Sequence, residues 1–182
     1  ISDYYDGMLA RTRNLVTDLG RLLDPLADKL LLFATLIPMY ALMSPVTDLL
    51  APSRESLGTA HGFAFRTPWG QFGLPLWVVV VVIGRELFMT AFRQLAARRG
   101  VVIAAIGPAK WKTGFQSIWV GSAYFWFFAA TLAARNDWHS NAWTSVEYFN
   151  AAVGLSTMAA AVFLTLYSLA LYMKRYGSVF TG

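Results

Sequence analysis

Four long apolar stretches constrain this chain more than any other feature of its sequence. Each is close to the roughly 20 residues that a helix needs to cross a bilayer, and they cover residues 29–50, 74–95, 113–134 and 146–173. Only 14% of the 182 residues are charged and 57% are hydrophobic, whereas a soluble domain carries about a quarter charged residues. The sequence therefore predicts an all-α, polytopic membrane helix bundle that forms a single domain over residues 1–182.

Basic residues predict how these helices are oriented. They concentrate in the opening segment, around residues 96–112 and after the fourth stretch, while the other connections hold only Arg54, Arg66 and Arg135. Because the cytoplasmic loops of membrane proteins are enriched in Lys and Arg, we expect these three regions on the cytoplasmic side. The same bias explains the net charge of +5, so no nucleic acid partner is expected.

The opening segment carries four aspartates at helical spacing. Asp3 and Asp6 are three residues apart, and Asp24 and Asp28 are four apart, so each pair shares one face of a helix. Two such helices could bring the four carboxylates together, and their mutual repulsion would then have to be offset by cations. Ligands that are all oxygen suit Mg²⁺, Mn²⁺ or Ca²⁺.

Small residues and one arginine extend these acidic faces. Gly7, Ala10 and Gly20 remove side-chain bulk, so a ligand or a neighbouring backbone can come close. Arg11 adds a fixed positive charge that suits a phosphate. Together these residues predict a metal-phosphate site. The alternative is a solvated acidic face, which would not need Gly and Ala at these positions.

The same residues carry a family resemblance. The spacing D-x2-D-G-x2-A-R-x8-G-x3-D-x3-D resembles the signature of the CDP-alcohol phosphotransferases, and all eight fixed positions are present. The stretches LLDPLADKLLL, IGRELFMTAFRQLAARRG and GPAKWKTGFQ are similar to the phosphatidylglycerophosphate synthase branch. The resemblance implies a six-helix fold. Because the motif occupies about residues 1–28, we expect the chain to be N-terminally incomplete, without the first helix and most of the second.

The resemblance also implies a reaction. It would transfer the phosphatidyl group of CDP-diacylglycerol to sn-glycerol 3-phosphate, giving phosphatidylglycerophosphate and CMP in phospholipid biosynthesis. Two divalent cations, Mg²⁺ or Mn²⁺, would be held by four carboxylates, those of Asp3, Asp6, Asp24 and Asp28. Asp28 would also be the general base. The residues implied for binding CDP-diacylglycerol are Gly7, Ala10, Arg11 and Gly20.

Three basic residues are candidates for binding the phosphate of the acceptor, namely Arg85, Arg93 and Lys112. Arg85 lies inside an apolar stretch, where a charge is costly and is usually functional or paired. Its alternatives are an ion pair with Glu86 or an extended side chain that reaches the interface. Glu86 also shares a helix face with Arg93, seven residues further on, and could pair with it instead.

The resemblance further implies a homodimer in the bacterial inner membrane, with the active site facing the cytoplasm. Two alternatives stay open. The same transfer could use inositol phosphate, serine or phosphatidylglycerol, because the aspartate motif recognises the donor. A cation transporter or channel is the alternative from another class, and its carboxylates would lie at mid-span rather than at the ends of the spans.

Overall fold

The computed structural model describes residues 18–44, 63–101, 103 and 107–176, and only the backbone of residues 18–26, 28 and 108–110. This part of the chain is mostly helical, as predicted, with the addition of one short pair of strands. The elements in chain order are α1 (Asp18–Met43), β1 (Phe65–Thr67), β2 (Gly70–Phe72), α2 (Leu76–Arg98), α3 (Gly107–Arg135) and α4 (Asn141–Tyr176).

The chain divides into two compact units, Ile1–Ala34 and Thr35–Gly182. In the first unit, α1 runs as a continuous helix from Asp18 and carries the second half of the predicted motif on its backbone. The last part of α1 belongs to the second unit, where the helix continues through Pro38 and ends at Met43, two residues before Pro45. A proline inside a helix is expected to kink or end it, and this holds for Pro38 and Pro45 alike. Pro38 does not end the helix, because a membrane-type helix tolerates the loss of one backbone hydrogen bond.

Within the second unit, α3 and α4 form the main packed pair. The buried face of α4 recurs every three or four residues and consists largely of small and polar side chains. It comprises Glu147, Asn150, Ala151, Gly154, Thr157, Ala161, Val162, Thr165, Ser168 and Tyr172. Small residues let two helix backbones approach closely, which is the usual packing of membrane helices. Asn150 also exchanges hydrogen bonds with Ser122 of α3.

A short hairpin lies against this helix pair. Its strands are antiparallel, with Phe65 opposite Phe72 and Thr67 opposite Gly70. The turn is closed by the Thr67 hydroxyl, which donates to the carbonyl of Gly70 at 2.8 Å. Gly70 has a φ of 137°, a conformation that L side chains rarely adopt. Because this region is rich in Gly, Pro, Ser and Thr, its sequence is typical of a loop with a short interfacial helix, but residues 65–72 form the hairpin instead.

The hairpin is fixed to the helices by aromatic packing. The ring of Phe65 sits on Gly154 of α4, so closely that a Cβ at Gly154 would lie 2.4 Å from the ring carbon Cζ. The indole N–H of Trp126 on α3 donates to the carbonyl of Ala64 at 3.2 Å. The contact with Trp126 lies in the second half of α3, and the contact with Gly154 lies in the first half of α4.

Two helices in the described part of the chain are long and apolar enough to cross a membrane, Trp111–Arg135 and Asn141–Tyr176. Large apolar side chains on their outer faces are exposed, among them Phe128, Phe149 and Phe163. Such surfaces suit contact with lipid tails, because a water-soluble monomer rarely exposes large contiguous apolar patches. The four spans themselves remain a prediction.

Candidate functional site

Three of the predicted metal and donor residues lie in α1. Asp3, Asp6, Gly7, Ala10 and Arg11 fall outside the described residues. Gly20, Asp24 and Asp28 follow each other at four-residue intervals along the helical backbone of α1. Their helical setting agrees with the predicted spacing, and their assignment to metal and donor stays a prediction.

Arg85 lies in the middle of α2 and is buried, with 7% of its side chain exposed. Its Nη1 donates to the Oε1 atom of Glu86 at 2.8 Å, so the ion pair considered in the sequence is present. Its Nη2 donates to the hydroxyl of Ser168 on α4 at 3.1 Å. Arg85 therefore ties two helices together and contacts an acid and a neutral hydroxyl.

Lys112, near the start of α3, reaches the same carboxylate. Its Nζ donates to Oε1 of Glu86, and its side chain is 5% exposed. The side chain of Glu86 is 29% exposed, so the carboxylate is closer to the surface than either cation. Three helices thus meet at one group of four side chains, Arg85, Glu86, Lys112 and Ser168, which we call the cation cluster.

The cation cluster carries more positive than negative charge. Two buried cations share a single carboxylate, and the fourth member is a neutral hydroxyl. The Nε of Arg85 is buried and has no hydrogen-bond partner among the residues that the structure describes. A buried donor without a partner is costly, and a buried charge is tolerated when it is paired. This arrangement suits an anion that brings acceptor oxygens into the cluster.

The described contacts of Arg93 are with Tyr172 rather than with Glu86. Its Nη2 donates to the hydroxyl of Tyr172 at 3.4 Å, and its guanidinium carbon lies 5.9 Å from the centre of that ring. Tyr172 stands one turn after Ser168 on α4, so both arginines of α2 contact the same face of that helix. The alternative pair of Arg93 with Glu86 is not among the described contacts, which join Glu86 to Arg85 and Lys112.

Glu86 and Ser168 belong to the cluster but were not predicted as site residues. Glu86 was considered only as a structural partner for an arginine. Two signals in the sequence could have included it: a carboxylate is costly inside an apolar stretch, and GRELF places it next to a buried cation. Ser168 gives no signal of its own, because a serine in a membrane-type helix can bond its own backbone.

Carboxylate oxygens are ligands that suit hard divalent cations such as Mg²⁺. Asp24 and Asp28, two residues of this type, lie in α1. No group of three or more acidic, histidine or cysteine side chains suited to a metal occurs among the described side chains. Those side chains do not include the four aspartates of the motif.

Several curated proteins are similar to this chain. The "CDP-diacylglycerol--glycerol-3-phosphate 3-phosphatidyltransferase" of Bacillus subtilis is 37% identical over 122 residues, which are 66% of this chain and 48% of that protein. A second protein with this name from Arabidopsis thaliana, numbered 2, is 29% identical over 179 residues, 96% of this chain and 62% of that protein. The "Cardiolipin synthase (CMP-forming)" of Streptomyces coelicolor is 28% identical over 159 residues, 84% of this chain and 60% of that protein.

The chain spans about half the length of the curated relatives it matches. No solved structure matches it. The family model described as CDP-alcohol phosphatidyltransferase matches residues 1–179. With the two long apolar helices, this match indicates a membrane protein. Because the match extends over almost the whole chain and includes the aspartate motif, the chain belongs to the CDP-alcohol phosphatidyltransferase family.

Proposed function

We propose that the protein containing this chain transfers the phosphatidyl group of CDP-diacylglycerol to sn-glycerol 3-phosphate, releasing CMP. The names of the relatives from Bacillus subtilis and Arabidopsis thaliana support this donor and acceptor. The aspartate motif supports the donor, because it combines carboxylates, small residues and Arg11.

The charges of the cation cluster are the observation that supports glycerol 3-phosphate as the acceptor. Glycerol 3-phosphate brings a phosphate dianion, and the cluster offers two buried cations against one carboxylate. The Nε of Arg85, which has no hydrogen-bond partner among the described residues, would supply a further N–H to an oxygen of the phosphate. Serine has no phosphate to place there, so the cluster favours a phosphorylated acceptor. Arg93 of α2, which contacts Tyr172 of α4, would add positive charge near the bound phosphate.

The donor site would lie on the motif. The family is generally dependent on divalent metals, and we propose that the four carboxylates hold two ions, Mg²⁺ or Mn²⁺. These carboxylates belong to Asp3, Asp6, Asp24 and Asp28. When bound, the ions would offset the negative charge of the pyrophosphate. Arg11 would bind a pyrophosphate oxygen, and the absence of side-chain bulk at Gly7, Ala10 and Gly20 would let the nucleotide approach the helices.

In the proposed reaction, Arg85 and Lys112 hold the phosphate of the acceptor and so fix its free hydroxyl. Asp28 takes the proton of that hydroxyl, and the oxygen attacks the β-phosphorus of CDP-diacylglycerol. A new phosphorus–oxygen bond forms while the pyrophosphate bond breaks, and CMP leaves with the bond electrons. Such transfers depend chiefly on positioning and charge, so a carboxylate that is a weak base can serve if the hydroxyl is held within reach.

Phosphatidylglycerol is the second candidate acceptor. The cardiolipin synthase of Streptomyces coelicolor matches 84% of this chain, a larger share than the Bacillus subtilis relative does. The phosphate of phosphatidylglycerol is a diester with one negative charge, however, so it would interact less strongly with the excess positive charge of the cluster. Inositol phosphate carries a dianion and is distinguished by assay rather than by charge.

The proposal includes a setting for the site. A water-soluble acceptor reaches an active site that opens on the cytoplasm, which agrees with the excess of Lys and Arg near the motif and around residues 96–112. We place the protein in the bacterial inner membrane as a homodimer, on the strength of the family resemblance. Crosslinking of the full-length protein in native membranes tests the oligomeric state.

A donor-release assay tests the reaction. Full-length protein in lipid nanodiscs receives labelled CDP-diacylglycerol, Mg²⁺ or Mn²⁺, and one acceptor at a time. We expect CMP and phosphatidylglycerophosphate with glycerol 3-phosphate. CMP with phosphatidylglycerol alone would favour the second candidate, and no CMP with any acceptor would overturn the enzyme proposal.

Asp28→Asn separates the roles of that residue. If Asp28 is the general base, turnover should fall by at least about 1,000-fold, within the range of a lost proton-transfer group, while CDP-diacylglycerol still binds. The control is Asp18→Asn, at an aspartate of the same helix outside the motif, which should retain activity. Loss of donor binding in Asp28→Asn would show that Asp28 is chiefly a metal ligand.

A further inference from the structure

We propose that Glu86 is a positioning residue that joins Arg85 and Lys112 into one anion-binding unit. This inference rests on the proposed function, since the anion is taken to be the phosphate of the acceptor. It assigns a role to a residue of the same charge as the ligand, which would ordinarily be expected to weaken binding.

The geometry of the shared oxygen supports this role. Arg85 Nη1 and Lys112 Nζ donate to the same atom, Oε1 of Glu86, although they stand on different helices. Two positive groups bonded to one oxygen lie within a few ångströms of each other, where they repel strongly unless a negative charge lies between them. The carboxylate therefore allows the two cations to stay together while both are buried.

The position of Glu86 on its own helix also indicates a specific role. Consecutive residues of a helix do not normally face each other, and ion pairs on a helix usually join residues three or four apart. The bond between Arg85 and Glu86 is therefore not the ordinary intrahelical pair. The same Oε1 atom also accepts from Lys112 of α3, so the pair on α2 belongs to a contact between two helices.

The two cations keep further N–H donors that have no partner among the described residues. In Arg85, Nη2 donates to Ser168 and Nη1 donates to Glu86, while Nε has no partner among the described residues. A lysine ammonium has three N–H donors, and the described contacts of Lys112 use one. Glu86 and Ser168 thus fix both cations and leave further donors to the phosphate.

This role makes a prediction opposite to that of simple charge. Removing the carboxylate makes the site more positive, which by itself should strengthen phosphate binding. If Glu86 positions the cations, Glu86→Gln should instead separate them and weaken binding. We expect the KM for glycerol 3-phosphate to rise about tenfold or more, the factor typical of a lost charged hydrogen bond. The KM for CDP-diacylglycerol should stay within about twofold of the wild type.

The experiment is steady-state kinetics on the full-length protein in nanodiscs, varying each substrate in turn. Glu86→Asp keeps the charge and should recover part of the loss. In a Lys112→Met background, Glu86→Gln should have less than about a twofold effect on the acceptor, because coupled residues are not additive. The thermal melting of each variant is measured alongside, to control for folding. If Glu86→Gln does not fold, Glu86→Asp with Lys112→Arg is measured in its place.

Three outcomes overturn the role of Glu86. The first is an unchanged or lower acceptor KM in Glu86→Gln, which would mean that charge alone matters. The second is an equal change in both KM values, which would mark a general structural effect. The third is full additivity with Lys112→Met. Failure of the proposed function is distinct, since the wild type would then release no CMP with glycerol 3-phosphate. The same kinetics with an active phosphorylated acceptor would still decide the role of Glu86.

Discussion

The two ends of the α3–α4 pair differ in how their charged side chains are paired and buried. At the cation cluster, two cations surround one carboxylate, and both cations are buried. At the hairpin end, Arg66 pairs with Glu147 at 3.4 Å, one to one, and the side chain of Arg66 is 57% exposed. The first end keeps an excess of positive charge away from water, and the second pairs one buried carboxylate with an arginine that reaches the solvent.

We interpret this difference as one between a proposed binding site and a structural junction. Because more than half of the Arg66 side chain is exposed, solvent screens this pair, and screened ion pairs contribute only about 0–1 kcal/mol to stability. The hairpin end is held instead by neutral contacts, the Phe65 ring on Gly154 and the stacked rings of Trp126 and Trp143, 6.0 Å apart. Buried excess charge has no comparable structural benefit, so its presence supports the anion site that we propose at the cluster.

Within this comparison, the largest expected effect comes from making the same substitution at both ends. Arg85→Gln removes a buried cation of the cluster and should lower kcat/KM for glycerol 3-phosphate about 100-fold, since truncating a buried charge pair costs about 2–5 kcal/mol. Arg66→Gln is the matched control and should stay within about twofold of the wild type. The measurement is CMP release at varied acceptor concentration. Similar losses in both variants would mean that the two ends do not differ in function.

A smaller effect should appear in stability at the hairpin end. Gly154→Ala places a methyl group against the ring of Phe65. Overpacking of this kind costs about 1–3 kcal/mol and should outweigh the gain of about 1 kcal/mol in helix propensity. Melting of the purified protein should therefore show a lower Tm.

The sign should reverse when the ring is removed. In a Phe65→Ala background, Gly154→Ala should raise the Tm relative to Phe65→Ala alone, because only the propensity gain remains. A Gly154→Ala variant as stable as the wild type would show that the ring has room to move, and the hairpin would then be less firmly packed than its contacts indicate.

The smallest expected effect concerns the neutral pair between the helices. The Ser122 hydroxyl donates to Oδ1 of Asn150 at 3.0 Å, and Nδ2 of Asn150 donates to the carbonyl of Ser122 at 3.3 Å. Asn150→Ala should cost about 1 kcal/mol, since such bonds between membrane helices average about 0.6. Unfolding in a denaturing detergent measures the change. Ser122→Ala is the control, and the double variant should lose less than the sum of the two.

The sequence predicted what depends on local pattern. Long apolar runs predicted the helical fold, and a charge inside one of them predicted that Arg85 is paired or functional. The structure joins Arg85 to Glu86, the partner that adjacency in the sequence had suggested. The spacing of Asp24 and Asp28 also agrees with the helix that carries them.

The rest could not be predicted because it depends on how distant segments meet. Lys112 and Ser168 are separated from Glu86 along the chain, and hydrophobic patterns do not fix the register between helices. The hairpin was missed for a different reason. Each of its strands has three residues, too few for alternation to be recognised, although TPWG contains the proline and glycine typical of a turn.

The length of α4 has a consequence for how the protein responds to its bilayer. Its 36 residues make a helix of roughly 54 Å, against a hydrocarbon layer of about 30 Å. Containing it within that layer would require a tilt of more than about 50°, beyond the usual range of 0–40°. At any ordinary tilt, therefore, one or both ends of α4 stand among the headgroups. A thicker or thinner bilayer would shift the depth of Ser168 and Tyr172 relative to the surface, so lipid composition becomes a variable of the site itself.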